Sequence, residues 1–242
     1  DLTQDEFQPI GDVVNAPTNE SNPNVFANYL THGFWQDTGQ INRSWSQNTV
    51  TYSLSSEFTF NQKAGIQMAF DLWSDIADIS FSQVSSSANI TIVEGDDGGA
   101  WSSSSTFGTT ISSNTISIDT NVSSWSNLST LGGYGLMTAL HEIGHSLGLG
   151  HTGNYNGSAS YANDAQWTND SHQMTIMSYF NDMNVGSDHW NNTNTWQYSA
   201  TPMLIDILAI QNIYGANYTT RNGHTTYGFN SNAGHDQFNF SI

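Results

Sequence analysis

The sequence predicts an α+β fold of the α/β-sandwich type, read as a single domain over residues 1–242. Two observations carry that expectation: short segments whose apolar side chains alternate with a period of two, and longer separate segments with a 3.6-residue apolar repeat. A third observation, HEIGHSLGLGH at residues 141–151, sets a pattern of metal-ligand spacing on one of those helices.

Residues 1–22, rich in Asp, Asn, Pro and Thr, read as an extended arm. Val25, Phe26, Tyr29, Leu30 and Phe34 then predict a short helix within 24–35 that ends near Gly33. Val50, Tyr52 and Leu54 alternate within 49–55, a strand's period. Asn61 stands where it can cap a helix whose apolar face is Ile66, Ala69, Phe70, Trp73, Ile76 and Ala77. Segments 79–84, 89–94 and 115–119 read as strands, with a glycine- and aspartate-rich turn over 95–99. The serine-rich stretch 102–113 reads either as a solvated loop or, around Ala100, Trp101 and Ser102, as a strand. Leu136, Leu140, Ile143 and Leu147 mark a helix over 136–147, packed by the face opposite its histidines. Residues 152–200 lack periodicity, as segments that shape a cleft do. Thr201 and Pro202 open a last helix with Leu204, Ile207, Leu208 and Ile210 inward and Gly215 after its end. This order suggests two lobes divided by the metal cleft.

Composition narrows the partners. Only three Lys and Arg stand against 21 Asp and Glu, a formal charge of −18, so nucleic acid and anionic membranes, which need a basic surface, are poor partners. The chain has no cysteine, which excludes disulfides and thiolate metal sites and leaves nitrogen and oxygen as ligands. No run of 18 apolar residues is present, and the first residues lack the pattern of a signal peptide. The sequence therefore reads as a soluble chain that, if exported, is processed or takes another route.

Helix geometry makes the motif chemical. His141 and His145, four residues apart, share a face and can aim at one ion. Glu142 lies about 100° round the helix, where its carboxylate reaches a water on the metal without being a ligand, the place of a general base. Gly148 follows the helix end and can turn the chain in a backbone conformation that costs other residues a Cβ clash, returning His151 as third ligand. Three neutral imidazoles on a tetrahedral Zn²⁺ leave one position open for water, as catalytic rather than structural sites do.

HEIGHSLGLGH followed by TIMSY at 175–179 resembles the metzincin clan of zinc peptidases and, within it, the serralysin family. The segments VTYSLSSEFTF, FDLWSDIADISFSQV, ANITI, PMLIDILAIQNIYGAN and TTRNGHTTYGFNSN are similar to stretches of a serralysin catalytic domain in the same order. The resemblance implies a twisted five-stranded mixed sheet with long helices above the zinc and an irregular lower lobe. It implies a secreted, extracellular bacterial endopeptidase of broad specificity acting on extended protein or peptide substrates, with Glu142 activating the water. Met177 would form the turn beneath the histidines, and Tyr179 would ligate zinc at rest and then hydrogen-bond the tetrahedral intermediate. The substrate would pair with an edge strand, for which Ala100, Trp101 and Ser102 are the candidates, and Asp206 would bond the Met177 turn. The family implication extends to a monomer and to a small protein inhibitor.

Serralysins continue into a calcium-binding β-roll, whereas this sequence stops at Ile242 with none of its repeats, and residues 220–242 resemble only the segment leading to it. His224 replaces an acid common there, so Ca²⁺ is an open expectation. Two rival readings remain: a catalytically silent, metal-stabilised binding module, against which intact Glu142 argues, and an astacin-like peptidase, which the absence of cysteine disfavours.

Overall fold

The computed structural model describes residues 17–191 and 193–240. Most of the proposed N-terminal arm lies outside the described residues. The first helical unit runs from α1 (Pro23–Asn28) through a π turn (Tyr29–Gly33) into α2 (Phe34–Asp37). Asn22 caps α1 by accepting from the backbone of Asn24 and Val25, and Pro23 takes the position where a missing N–H costs nothing.

Strand β1 (Thr49–Leu54) leads into α3 (Phe60–Ile76), and β2 (Ser80–Gln83) returns parallel to β1. Thr59, not Asn61, caps α3: its side chain accepts from Gln62 N while the Gln62 side chain accepts from Thr59 N at 2.7 Å. The reciprocal pair satisfies two orphan donors at once, which a lone Asn two positions later cannot do. Ile66, Ala69, Phe70 and Trp73 are buried, as their spacing predicts.

Strand β3 (Ile90–Glu94) pairs with the other side of β1, and the serine-rich stretch resolves into β4 (Ala100–Phe107) and β5 (Thr110–Ile118). The two form an antiparallel hairpin, and the five-stranded mixed sheet has the order β2-β1-β3-β5-β4. The loop reading of 102–113 is thereby corrected. Serine carries little strand preference, but Asn114, buried between the strands, donates to the hydroxyls of Ser102 and Ser104 at 2.9 Å each and holds the face together.

Helix α4 (Tyr134–Ser146) carries the motif and packs on β4, β5 and α3. It starts two residues earlier than its apolar spacing suggests, and every residue except His145 is buried. It has no solvent face, because the sheet, α3 and the lower segment surround it. Among its described residues the lower segment has α5 (Tyr161–Asp164) and a 3₁₀ turn (Asp182–Val185) as its helical elements. Helix α6 (Leu204–Tyr214) follows, starting beyond Thr201 and Pro202. Its buried residues are Ile205, Asp206, Ala209 and Ile210, while Leu204 is exposed. The inward face is rotated from the expected one because it must present Asp206 to the interior.

Two of the three basic side chains are engaged by neighbouring side chains. Arg43 stacks over Trp35 at 4.0 Å, and Arg221 pairs with Asp75 at 2.5 Å. No helix among the described residues is long and apolar enough to cross a membrane.

Candidate metal centre and active site

His141 and His145 extend from one face of α4, and the chain then turns at Gly148, whose φ is +104°. A Cβ there would lie 2.0 Å from the carbonyl oxygen of Arg43, so both conformation and space demand glycine. The turn delivers His151 to the same point. The three histidines present ligand atoms that all lie within 4.8 Å of one another.

The protons on these rings follow from their partners. His141 Nδ1 lies 2.7 Å from Ile176 O, His145 Nδ1 2.8 Å from Leu149 O, and His151 Nδ1 3.0 Å from Tyr155 O. A carbonyl only accepts, so each Nδ1 carries the hydrogen and each Nε2 is left with a bare lone pair. His145 Nε2 and His151 Nε2 then face each other at 3.0 Å, and His141 Nε2 is buried without a hydrogen-bond partner. Such lone pairs repel unless a cation lies among them. Burial lowers the pKa of all three rings, that of His145 to about 3, so no proton competes at neutral pH. Three oriented neutral imidazoles backed by carbonyls fit zinc in donor type and number.

Glu142 is fully buried, and neither carboxylate oxygen has a hydrogen-bond partner. Burial pushes its pKa up to about 7. A cation at the histidines pulls it back towards the charged form. A buried carboxylate left without donors costs stability, which marks a site kept for chemistry.

Below the histidines lies Met177, fully buried. Gly144 makes room for it, since a Cβ there would sit 2.7 Å from Met177 Sδ. Asp206 accepts from Thr175 Oγ1 at 2.5 Å, Ile176 N at 2.9 Å and Met203 N at 2.8 Å. Ile176 thus receives Asp206 on its N–H and supports His141 with its carbonyl. Burial raises the Asp206 pKa to about 6 although all three donors oppose it. The Tyr179 ring lies 4.5 Å from that of His151, and its hydroxyl accepts from Gly157 N at 3.4 Å. Ala100, Trp101 and Ser102 begin β4, the outer strand beside α4, with Ala100 buried and the Trp101 indole donating to Asp97 at 2.8 Å.

Sequence reasoning missed the residues that support this arrangement from below. Thr152 donates to the buried Asp170 at 2.7 Å, so its oxygen accepts from the Tyr155 hydroxyl. That hydroxyl in turn accepts from Tyr179 N at 3.4 Å, and the Tyr155 ring stacks 5.6 Å from His151. Burial lifts the Asp170 pKa to about 7. No spacing rule signals this group, because its members meet only through tertiary packing. His172 is buried and bonds Ser178 O, while His189 pairs with Asp182 at 2.8 Å.

The family model for Astacin, a peptidase family, matches residues 37–169, more than half of the chain. With the three-histidine zinc group this defines the class as a metzincin metallopeptidase. The chain is 33% identical over 229 residues to a serralysin of Proteus mirabilis, covering 86% of this chain and 44% of that one. It is 40% identical over 192 residues to serralysin B of Dickeya chrysanthemi (74% and 39% covered) and 35% over 189 residues to metallopeptidase AprA of Pseudomonas marginalis (75% and 39%). Within the metzincin class the chain belongs to the serralysin family, and the astacin alternative is not favoured. It spans about two fifths of the length of these relatives.

Proposed function

We propose that this chain is a zinc endopeptidase domain that hydrolyses peptide bonds in extended protein substrates with broad specificity. One observation carries the reading: a buried, unpartnered Glu142 beside three imidazoles whose bare Nε2 atoms converge. Zinc held there supplies Lewis acidity, polarising a carbonyl oxygen and acidifying water. Glu142 takes the proton of the attacking water and passes it to the leaving amine nitrogen. Its buried surroundings, which favour the neutral acid, make the carboxylate a stronger base for taking that proton. Tyr179, whose ring lies against His151, would offer its phenol oxygen to a bound zinc as a further ligand, and its hydroxyl would donate to a carbonyl oxygen that develops negative charge.

The outer position of β4 supports strand addition: a substrate backbone pairs along Ala100, Trp101 and Ser102, which reads main chain rather than side chain and so gives broad specificity. Gly148 serves to return His151, Met177 serves as the floor, and Asp206 holds the turn that carries it. We further read the chain as one catalytic domain that acts as a secreted bacterial monomer and is open to a small protein inhibitor.

Cleavage of denatured casein, with and without a zinc chelator and by Glu142→Ala, tests the proposal. Activity that chelator and substitution both abolish is the expected result. Undiminished cleavage by Glu142→Ala would overturn the mechanism, and inactivity of a folded, zinc-loaded chain would favour the silent binding module.

A further inference from the structure

Three consecutive carbonyls, those of Ser146, Leu147 and Gly148, leave the end of α4 just before the chain turns towards His151. A helix end leaves such carbonyls without intrahelical donors. Here each receives one side-chain donor from a different part of the chain. Trp45 Nε1 donates to Ser146 O, the Tyr214 hydroxyl to Leu147 O, and Trp35 Nε1 to Gly148 O, each at 2.9 Å. The Tyr214 oxygen also accepts from Trp45 N at 3.1 Å, which ties the end of α6 into the same cluster. The first helical unit closes the other side: Leu30 O accepts from Gly150 N at 2.7 Å, and the Phe34 ring stands edge-on to His151 at 5.2 Å.

We propose that Trp35, Trp45 and Tyr214 are positioning residues that hold the 146–150 turn in the conformation bringing His151 to the metal. The inference rests on the zinc reading of the three histidines. Leu149 O, inside the same turn, also orients the His145 ring, so the turn sets two of the three ligands at once. Bare nitrogens 3.0 Å apart repel in the metal-free chain, and the turn must resist that repulsion to stay ready for the ion. Two indole donors on buried rings and one phenol on a partly buried ring supply the resistance through backbone atoms alone. Zinc retention therefore depends on residues more than a hundred positions before the motif turn and more than sixty after it.

The fold contains its own control. Trp73 Nε1 donates to Leu140 O at 3.1 Å, a buried indole on a carbonyl of the same helix, but in the helix interior, where the carbonyl already has its helical donor. Trp35→Phe, Tyr214→Phe and Trp73→Phe, each in the whole chain, are compared by zinc release to a chromogenic chelator and by the visible spectrum of the Co²⁺-substituted form. Thermal unfolding of the metal-free forms reports fold stability separately. Trp35→Phe and Tyr214→Phe should release zinc about tenfold faster or more and alter the cobalt bands. Trp73→Phe should lower the unfolding midpoint while release and spectrum stay unchanged. Unaltered release in both Trp35→Phe and Tyr214→Phe, or an equal acceleration by Trp73→Phe, overturns the clamp. Failure of the unaltered chain to take up one zinc overturns the metal reading instead. Should Trp35→Phe not fold, Tyr214→Phe, which removes a single oxygen, decides the comparison.

Discussion

The metal helix Tyr134–Ser146 and the irregular segment between Asp170 and Asp206 perform the same task by different physics. Both hold parts of the metal centre, and each buries a carboxylate. In the helix, position comes from hydrogen bonds along the backbone and from packing on every side, and Glu142 is left without a single donor. In the irregular segment, position comes from a carboxylate that a neighbouring helix supplies, since Asp206 in the first turn of α6 gathers Thr175, Ile176 and Met203 and thereby fixes the carbonyl that supports His141. A rigid element can carry a destabilising group for chemistry, whereas an irregular one has to be bracketed by a buried acid from a neighbouring helix.

Glu142→Gln should break the comparison most sharply. Peptidase turnover should fall by roughly 10²–10⁴, read as kcat on a peptide substrate, while the unfolding midpoint holds or rises because a buried, donorless acid has become neutral. Metal removal comes next. At saturating zinc, about 1,000 times its Kd, the ion contributes about 4 kcal/mol, so chelation should lower the calorimetric midpoint by on the order of 10 °C. Asp206→Ala, in contrast to the Glu142 change, should cost stability first, about 1–3 kcal/mol by urea denaturation, because three donors lose their acceptor in the interior.

The pH dependence of Asp206 sharpens the contrast further. Its pKa is about 6 in the folded chain against an ordinary 3.8, so between those values the folded state binds more protons than the unfolded one. This group's contribution to stability therefore falls as pH rises from about 4 to about 6 and is level above. The stability difference between the unaltered chain and Asp206→Asn, which cannot titrate, should shrink over that window; a difference independent of pH would contradict the assignment. His172, lowered to about 4 by burial, acts in the opposite direction in both proteins and so cancels in the difference. Tyr155→Phe, the smallest expected change, should cost about 1 kcal/mol, since it keeps the ring against His151 and loses the hydroxyl's bonds, those to Thr152, Ser178 and Tyr179 among them.

The difference between the two regions also explains what could be read from the chain. Helix α3 announced its buried face through Ile66, Ala69, Phe70 and Trp73, and its true cap was legible in Thr59 and Gln62 as a capping box, a stronger signal than Asn61 alone. Strand β4 was harder, because its serines satisfy neither the alternation nor the composition of a strand and depend on Asn114 across the hairpin. Leu204 misled because an apolar residue at the start of a helix resembles a core position, while the buried acid two residues later set the rotation of α6.

The sequence by itself determined the ligand set, its spacing and the adjacent acid, because helix pitch and a single glycine convert residue order directly into geometry over eleven positions. It also carried the family, through side-chain types in a particular order. Only the tertiary structure decided which nitrogen of each histidine is free, what holds the turn to His151, and how Asp206, Tyr155 and Asp170 meet the site. Those features depend on backbone carbonyls, which every residue possesses alike, and on contacts between segments as much as 169 positions apart. Local sequence encodes neither.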